Sequence, residues 1–429
     1  MPAIPAAVLA AAVLALLAAG PAMPGAADPP APAKLSGVIC KPEDHGARHD
    51  GATLDTAAIQ KALDLCAKKG TVLLAGGTYL SGPLRMHSGE TLRIEAGAVL
   101  MASDDPALYA VPGKPNKAQP FILADGVHDL ALTGGGTIEG QGRRWWDAAN
   151  AARAETPKRK PPPRPRLIVL RGVHDARVEG LTLKNAPMFN LVTDGSERIV
   201  IDGITILAPP DSPNTDGIDP TNSRHITIRN VVIDTGDDHI AIKADKRAFD
   251  GQPATSDITI TDSVFREGHG VSIGSDTQGG VRGVLVERVT ITGADNGLRI
   301  KTRRGRGGEV SGVTYRDVKL TNVKHAIRIT SYYQQDADAD PGQAAGADTP
   351  DIHDIRFEAI SGDGNPSLGE VRGLPERPVR GIVFDRVTLS GATGLTVGNA
   401  ELALQGGRLT SSDGQALVER AGAQVSGER

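Results

Sequence analysis

The sequence predicts an all-β fold, a parallel β-helix with one N-terminal capping α-helix, from three observations. A β-branched strand motif recurs along most of the chain; 52 glycines accompany only 3% aromatic residues; and a single stretch has clear helical periodicity. Such a composition suits many short strands and turns better than packed helices.

The chain begins with Met1 to Gly20, almost wholly Ala, Leu, Val and Ile, followed by the small residues Ala22-Met23-Pro24-Gly25-Ala26-Ala27. This reads as a signal peptide over residues 1–27, although its first residues lack Lys or Arg. Residues 28–429 are then expected to form one exported domain, secreted or periplasmic, with its core at about 37–410 and no membrane association after cleavage. A monomer is expected.

Cys40 and Cys66 are the two cysteines. After export they can pair into one disulfide between the leading strand and a helix; two buried thiols are the alternative. Neither has a second Cys or a His at metal-ligand spacing, which argues against zinc.

Asp55 or Thr56 can cap a helix in which Ala58, Ile59, Ala62, Leu63 and Cys66 share one face, before Lys68, Lys69 and Gly70 end it. Short strands closed by glycine follow at Thr71 to Ala75 and Thr91 to Glu95. From Ala176 the strand motif recurs in one format, as in Arg177 to Leu183, Ile199 to Ile206 and Ile226 to Ile233. Later copies are Ile258 to Phe265, Val284 to Ile291, Val313 to Leu320, Ile355 to Ile360 and Ile382 to Leu389. Aligning Gly180, Gly203, Asn230, Asp262, Arg288 and Asp317 gives steps of 23, 27, 32, 26 and 29 residues. Stacked coils with loops of variable length produce that spacing, whereas a propeller needs a longer, steadier period. The helix would cover the exposed edges at the N-terminal end of the stack.

Two stretches break the period. Gly142 to Arg166, with Trp145-Trp146 and the basic run Lys158 to Arg166, is expected to be a long loop. Its tryptophans suit either stacking on sugar or anchoring the loop. Gln334 to Asp351 is the second loop; Asp336, Asp338 and Asp340 open like a calcium site, but Pro341 stands where the turn needs Gly, so calcium is not expected.

A formal net charge of −4 argues against a nucleic-acid partner. The chemistry lies in four short motifs in successive coils: Asn214-Thr215-Asp216, Gly236-Asp237-Asp238, Gly268-His269-Gly270 and Arg299-Ile300-Lys301. Coils in register bring equivalent turns together. Three crowded acids can then supply both a protonated and an ionised carboxyl, as glycoside hydrolysis requires. Arg299 and Lys301 alternate along a strand, share a side and can clamp a carboxylate.

The ordered set resembles the polygalacturonase family of pectin hydrolases, glycoside hydrolase family 28, over roughly Cys40 to Leu389. Supporting stretches are Asp44-His45-Gly46-Ala47, Gly77 to Leu84, Gly135 to Gly142 and Ser212 to Asp219. The resemblance implies a right-handed parallel β-helix and an inverting hydrolase that cuts α-1,4-galacturonosyl bonds of polygalacturonate without a metal or other cofactor. It makes Asp237 the general acid, Asp216 and Asp238 the pair that activates water, and His269 the residue that tunes the acids. Arg299 and Lys301 bind a galacturonate carboxylate, Asn214 stands beside the groove, and Tyr332 or its neighbour Tyr333 contacts substrate, with Tyr332 taken first. A rhamnogalacturonan hydrolase, a pectate lyase and a non-catalytic polysaccharide-binding β-helix are the alternatives. Endo or exo action depends on whether the two long loops close the groove.

Overall fold

The computed structural model describes residues 37–155, 160–245, 254–337 and 340–427. The signal-peptide reading, Lys158, Arg159 and Asp338 lie outside the described residues. All pairings between its named strands are parallel, from Ile39–Cys40 to Ala423–Gly427. Strands therefore continue beyond the expected core end near 410. No helix among the described residues is long and apolar enough to cross a membrane.

The repeat exists because each coil buries alternate residues in a shared interior. Ile199, Ile226, Ile258, Val284, Val313, Ile355 and Ile382 lie in register as one inward column, all buried. Each such side chain contributes about 1.5–3 kcal/mol by leaving water. Farther along the stack a second column becomes aromatic, where Tyr315 stacks on Phe357 with centroids 4.9 Å apart and Phe357 meets Phe384 edge-on at 5.1 Å.

The aligned centres of the motif prove to be corners. Gly180, Gly203, Asn230, Asp262, Arg288 and Asp317 all have φ between 50° and 71°, a left-handed conformation that costs ordinary L-residues about 1–2 kcal/mol. This explains the preference for Gly, Asn and Asp there. Arg288 departs from that preference, but its guanidinium grips Asp262 of the adjacent coil at 2.7 and 2.9 Å.

The predicted helix is α1, Thr56–Cys66. Its apolar face, Ile59, Ala62, Leu63 and Cys66, is buried against the first strands, and Cys66 is bonded to Cys40. Asp55 occupies the N-cap position but does not cap the helix. Its carboxylate instead accepts from the Arg48 and His49 amides at 2.8 and 3.0 Å, while Thr56 Oγ1 accepts from Gly82 N at 2.7 Å. The sequence offers either residue as the helix cap, but the side chains of both bond outside the helix instead.

Gly142 to Arg166 is not simply a loop, because Arg143–Glu155 forms a second helix, α2. Trp145, Trp146, Ala149 and Ala152 form its buried face. Trp145 meets Tyr109 edge-on at 5.7 Å, and Trp146 Nε1 donates to Ala186 O at 3.0 Å. Both tryptophans thus anchor α2, and neither ring is exposed for sugar stacking. The flanking charges obscured a helical face built from two tryptophans and two alanines.

The disulfide closes a loop of 26 residues, so breaking it through Cys66→Ser should cost about 3–4 kcal/mol. Urea unfolding of the oxidised protein and the variant measures the difference. Glu90 offers a second check. It is buried, with Oε1 accepting from His87 N and Oε2 without a partner among the described residues. Burial pushes its carboxyl up to about 8 from an ordinary value of 4.5. The folded state therefore holds a proton that the unfolded chain loses first; its stabilising contribution is complete below pH 4.5 and is lost as pH rises toward 8. Glu90→Gln should be the more stable protein at pH 8, with the difference in melting temperature shrinking toward pH 5.

Candidate active site

Four stacked strands support the site: Ile218–Thr221, Ile240–Ile242, Val271–Gly274 and Asn296–Lys301. Their register pairs Ile218 with Ile240, Ile240 with Val271, and Val271 with Leu298. The turns feeding these strands continue the ladder through Gly217 N to Asp238 O at 2.9 Å and His269 N to Asp237 O at 2.8 Å. Close approach demands glycine at Gly270, where φ is 88° and a Cβ would fall 2.1 Å from Asn296 O.

The turns gather the predicted residues. Asp238 is buried between cations: Arg299 Nη2 donates to its Oδ1, Ser272 Oγ donates to the same oxygen at 3.0 Å, and Lys301 Nζ donates to Oδ2 at 2.7 Å. Ser272 also accepts from Arg299 Nε at 2.9 Å, which fixes the guanidinium. Burial pushes Asp238 toward its neutral form, but Arg299 and Lys301 outweigh burial and hold the carboxyl well below its usual range.

Asp216 has the opposite balance. Burial, aided by Asp219, Asp237 and Asp238, raises it well above the ordinary carboxylate value against the pull of Lys243. Lys243 Nζ lies 3.1 Å from Asp216 Oδ2 and also bonds Asp219 Oδ1. Asp219 is likewise pushed up by burial, whereas the two acids outweigh burial at Lys243 and favour its ammonium. Among the described residues, none donates a hydrogen bond to Asp216 Oδ1. Two acids thus compete for one cation, and their unmet share favours retaining a proton.

Asp237 alone of the three predicted acids lines the cleft, a space of about 310 Å³ shared with His269, Arg299, Lys301 and Tyr333. His269 Nδ1 is 3.0 Å from Asp237 Oδ1, and that hydrogen bond raises the imidazole's proton affinity. Asn214 Nδ2 donates to Asp237 Oδ2 at 3.4 Å. Asp237, Asp238 and His269 offer potential ligand atoms within 4.8 Å of one another. A cation placed there would face Arg299 and Lys301, which already neutralise Asp238.

Tyr332 is not in the cleft: its side chain is buried and its hydroxyl donates to Asp340 Oδ2 at 2.9 Å. Tyr333 lines the cleft instead, with Lys301 Nζ 5.2 Å from its ring centre. Asp340, from the stretch that opened like a calcium site, also pairs with Arg304 at 2.7 Å. Lys243, Asp219, Ser272, Arg153 and Arg164 escaped the sequence reading. Lys243 stands after the apolar triplet Ile240-Ala241-Ile242, a weak signal for a buried ammonium.

A coiled β stack presenting crowded carboxylates of unequal proton affinity beside two cations has the equipment of a glycoside hydrolase. Residues 66–402 match the model of glycosyl hydrolases family 28. The chain belongs to that family, and its activity is that of a polygalacturonase-type pectin hydrolase. It is 36% identical over 325 residues to an endo-polygalacturonase of Pectobacterium carotovorum subsp. carotovorum, covering 71% of this chain and 77% of the relative. The solved polygalacturonase of Erwinia carotovora ssp. carotovora superposes with a TM-score of 0.71 at 29% identity, covering 94% and 99% of the two chains. An exopolygalacturonase from Thermotoga maritima shares the fold, with a TM-score of 0.75 at 23% identity over 89% and 94%.

Lys243→Met should leave Asp216 and Asp219 buried without their ammonium, costing about 3–5 kcal/mol at neutral pH. Both acids are then raised further above their unfolded values, so the penalty grows as pH rises. Thermal melts should show a smaller difference from the parent at pH 4 than at pH 7.

Proposed function

We propose that the protein hydrolyses α-1,4 bonds between galacturonate units with inversion, using Asp237 as proton donor. The observation that carries this reading is the unequal presentation of the acids. Asp237 faces the cleft, while Asp238 is held ionised behind it by Arg299 and Lys301. In the reaction Asp237 gives its proton to the leaving glycosidic oxygen as the C–O bond breaks. Water attacks the anomeric carbon from the opposite face and loses a proton to a carboxylate. Within the Asp216–Asp238 pair, Asp238 is the carboxylate held ionised, while Asp216, whose burial favours a retained proton, can accept only when Lys243 has it ionised.

Substrate choice rests on the cationic lining. In the free protein both cations are paired with Asp238. They retain donors, however: Arg299 uses Nε and Nη2 on Ser272 and Asp238, and Lys301 uses one N–H on Asp238. The remaining N–H groups, with Lys324 and Arg328 on the same cleft, suit a sugar bearing a carboxylate. Export by the Met1 to Ala27 segment belongs to the same reading, and the Cys40–Cys66 disulfide supports it because such bonds persist in oxidising compartments.

Asp237→Asn should release reducing ends from polygalacturonate about 10²- to 10⁴-fold more slowly while melting as the parent does. Turnover at the parental rate would overturn the assignment of the donor. Proton NMR of the first product should show the β-anomer; an α-anomer would exclude inversion.

A further inference from the structure

Arg164 is a guanidinium placed where charge is hard to accommodate. It is only 8% exposed, and burial lowers its proton affinity to a value of about 10. Its hydrogen-bond partners among the described residues are neutral: Nη1 donates to Pro187 O at 3.1 Å and Pro213 O at 2.6 Å, and Nη2 donates to Asn214 Oδ1 at 2.8 Å. A second guanidinium reaches the same oxygen, since Arg153 Nη2 of α2 lies 2.7 Å from Asn214 Oδ1. Both come from the Gly142 to Arg166 stretch, which interrupts the coil period.

The amide of Asn214 has two ends of similar shape and opposite polarity. Its 3.4 Å contact with Asp237 Oδ2 is too long to select between them. Arginine can only donate, so two guanidinium groups on one amide atom require that atom to be oxygen. The Nδ2 end is thereby turned toward Asp237. Arg164 is itself fixed by carbonyls on consecutive coils, including that of Pro213 immediately before Asn214.

We propose that Arg164, assisted by Arg153, is a positioning residue for proton donation, latching the Asn214 amide so that its N–H faces Asp237 Oδ2. The inference rests on the reading of Asp237 as donor. As Asp237 gives up its proton, negative charge develops on its carboxylate, and a donor aimed at Oδ2 binds that charge more strongly than the neutral acid. The latch therefore serves the chemical step, and its loss should appear in kcat with KM preserved. The same geometry gives the interrupting stretch a link to catalysis without placing either arginine on the reacting atoms.

The test compares two substrates in the full-length protein: polygalacturonate, whose sugar leaving group needs a proton, and an aryl galacturonide whose acidic phenol leaves unaided. Asp237→Asn is the reference and should be far less impaired on the aryl substrate. Arg164→Met should lower kcat on polygalacturonate about 10- to 100-fold, with KM within twofold and the aryl rate nearly parental. Arg153→Ala, a change on the exposed side of α2, should show the same pattern at a few-fold size and keeps the test available if Arg164→Met does not fold. Recovery of Asp237→Asn but equal losses on both substrates for the arginine variants would overturn the latch, as would parental kcat on polygalacturonate. No recovery of Asp237→Asn would instead overturn the donor assignment on which the latch depends.

Discussion

The arrangement depends on the ionised state of Asp238, a carboxylate hidden from water and gripped by Arg299 and Lys301. Desolvation alone would favour its neutral form, and either cation alone would leave a buried charge poorly compensated. Together they offset burial, and Ser272 completes the bonding by donating to Asp238 while accepting from Arg299. A fixed negative charge then lies beside Asp216 and adds to the burial that raises its proton affinity. Burial raises the proton affinity of both Asp216 and Asp219, and the neighbouring Lys243 offsets only part of that rise.

Coil register makes this cluster possible. Asp238 precedes one strand, while Ser272, Arg299 and Lys301 belong to the next two in the same sheet, with Ser272 paired directly to Arg299. Residues 61 and 63 positions apart in sequence therefore meet. The left-handed corners hold that register over the stack, and the inward columns make a one-residue slip costly, because it would turn every buried Ile or Val toward solvent.

These features were legible because they repeat or occur in fixed order. Alternation exposed the strands, the aligned motif centres exposed the coil spacing though not that they are corners, and the four polar motifs exposed Asp216, Asp237, Asp238, His269, Arg299 and Lys301. What escaped lacked periodicity. Helix α2 hides its apolar face among alanines and arginines, and Arg164 sits between prolines in a run that reads as solvated. Lys243 follows an apolar triplet like any strand-ending lysine. Tyr332 and Tyr333 are adjacent, so only the local path of the chain could send one to Asp340 and the other to the cleft.

Carbon-13 NMR titration of the aspartate side-chain carboxyls tests the unequal acids most directly, with Asp238→Asn used to assign the resonance. The account predicts that the Asp238 carboxyl keeps its ionised shift from neutral pH down to about pH 3, below the ordinary aspartate midpoint, while Asp216 takes up a proton at higher pH. An Asp238 resonance that titrates at or above the ordinary midpoint while the protein remains folded would contradict it.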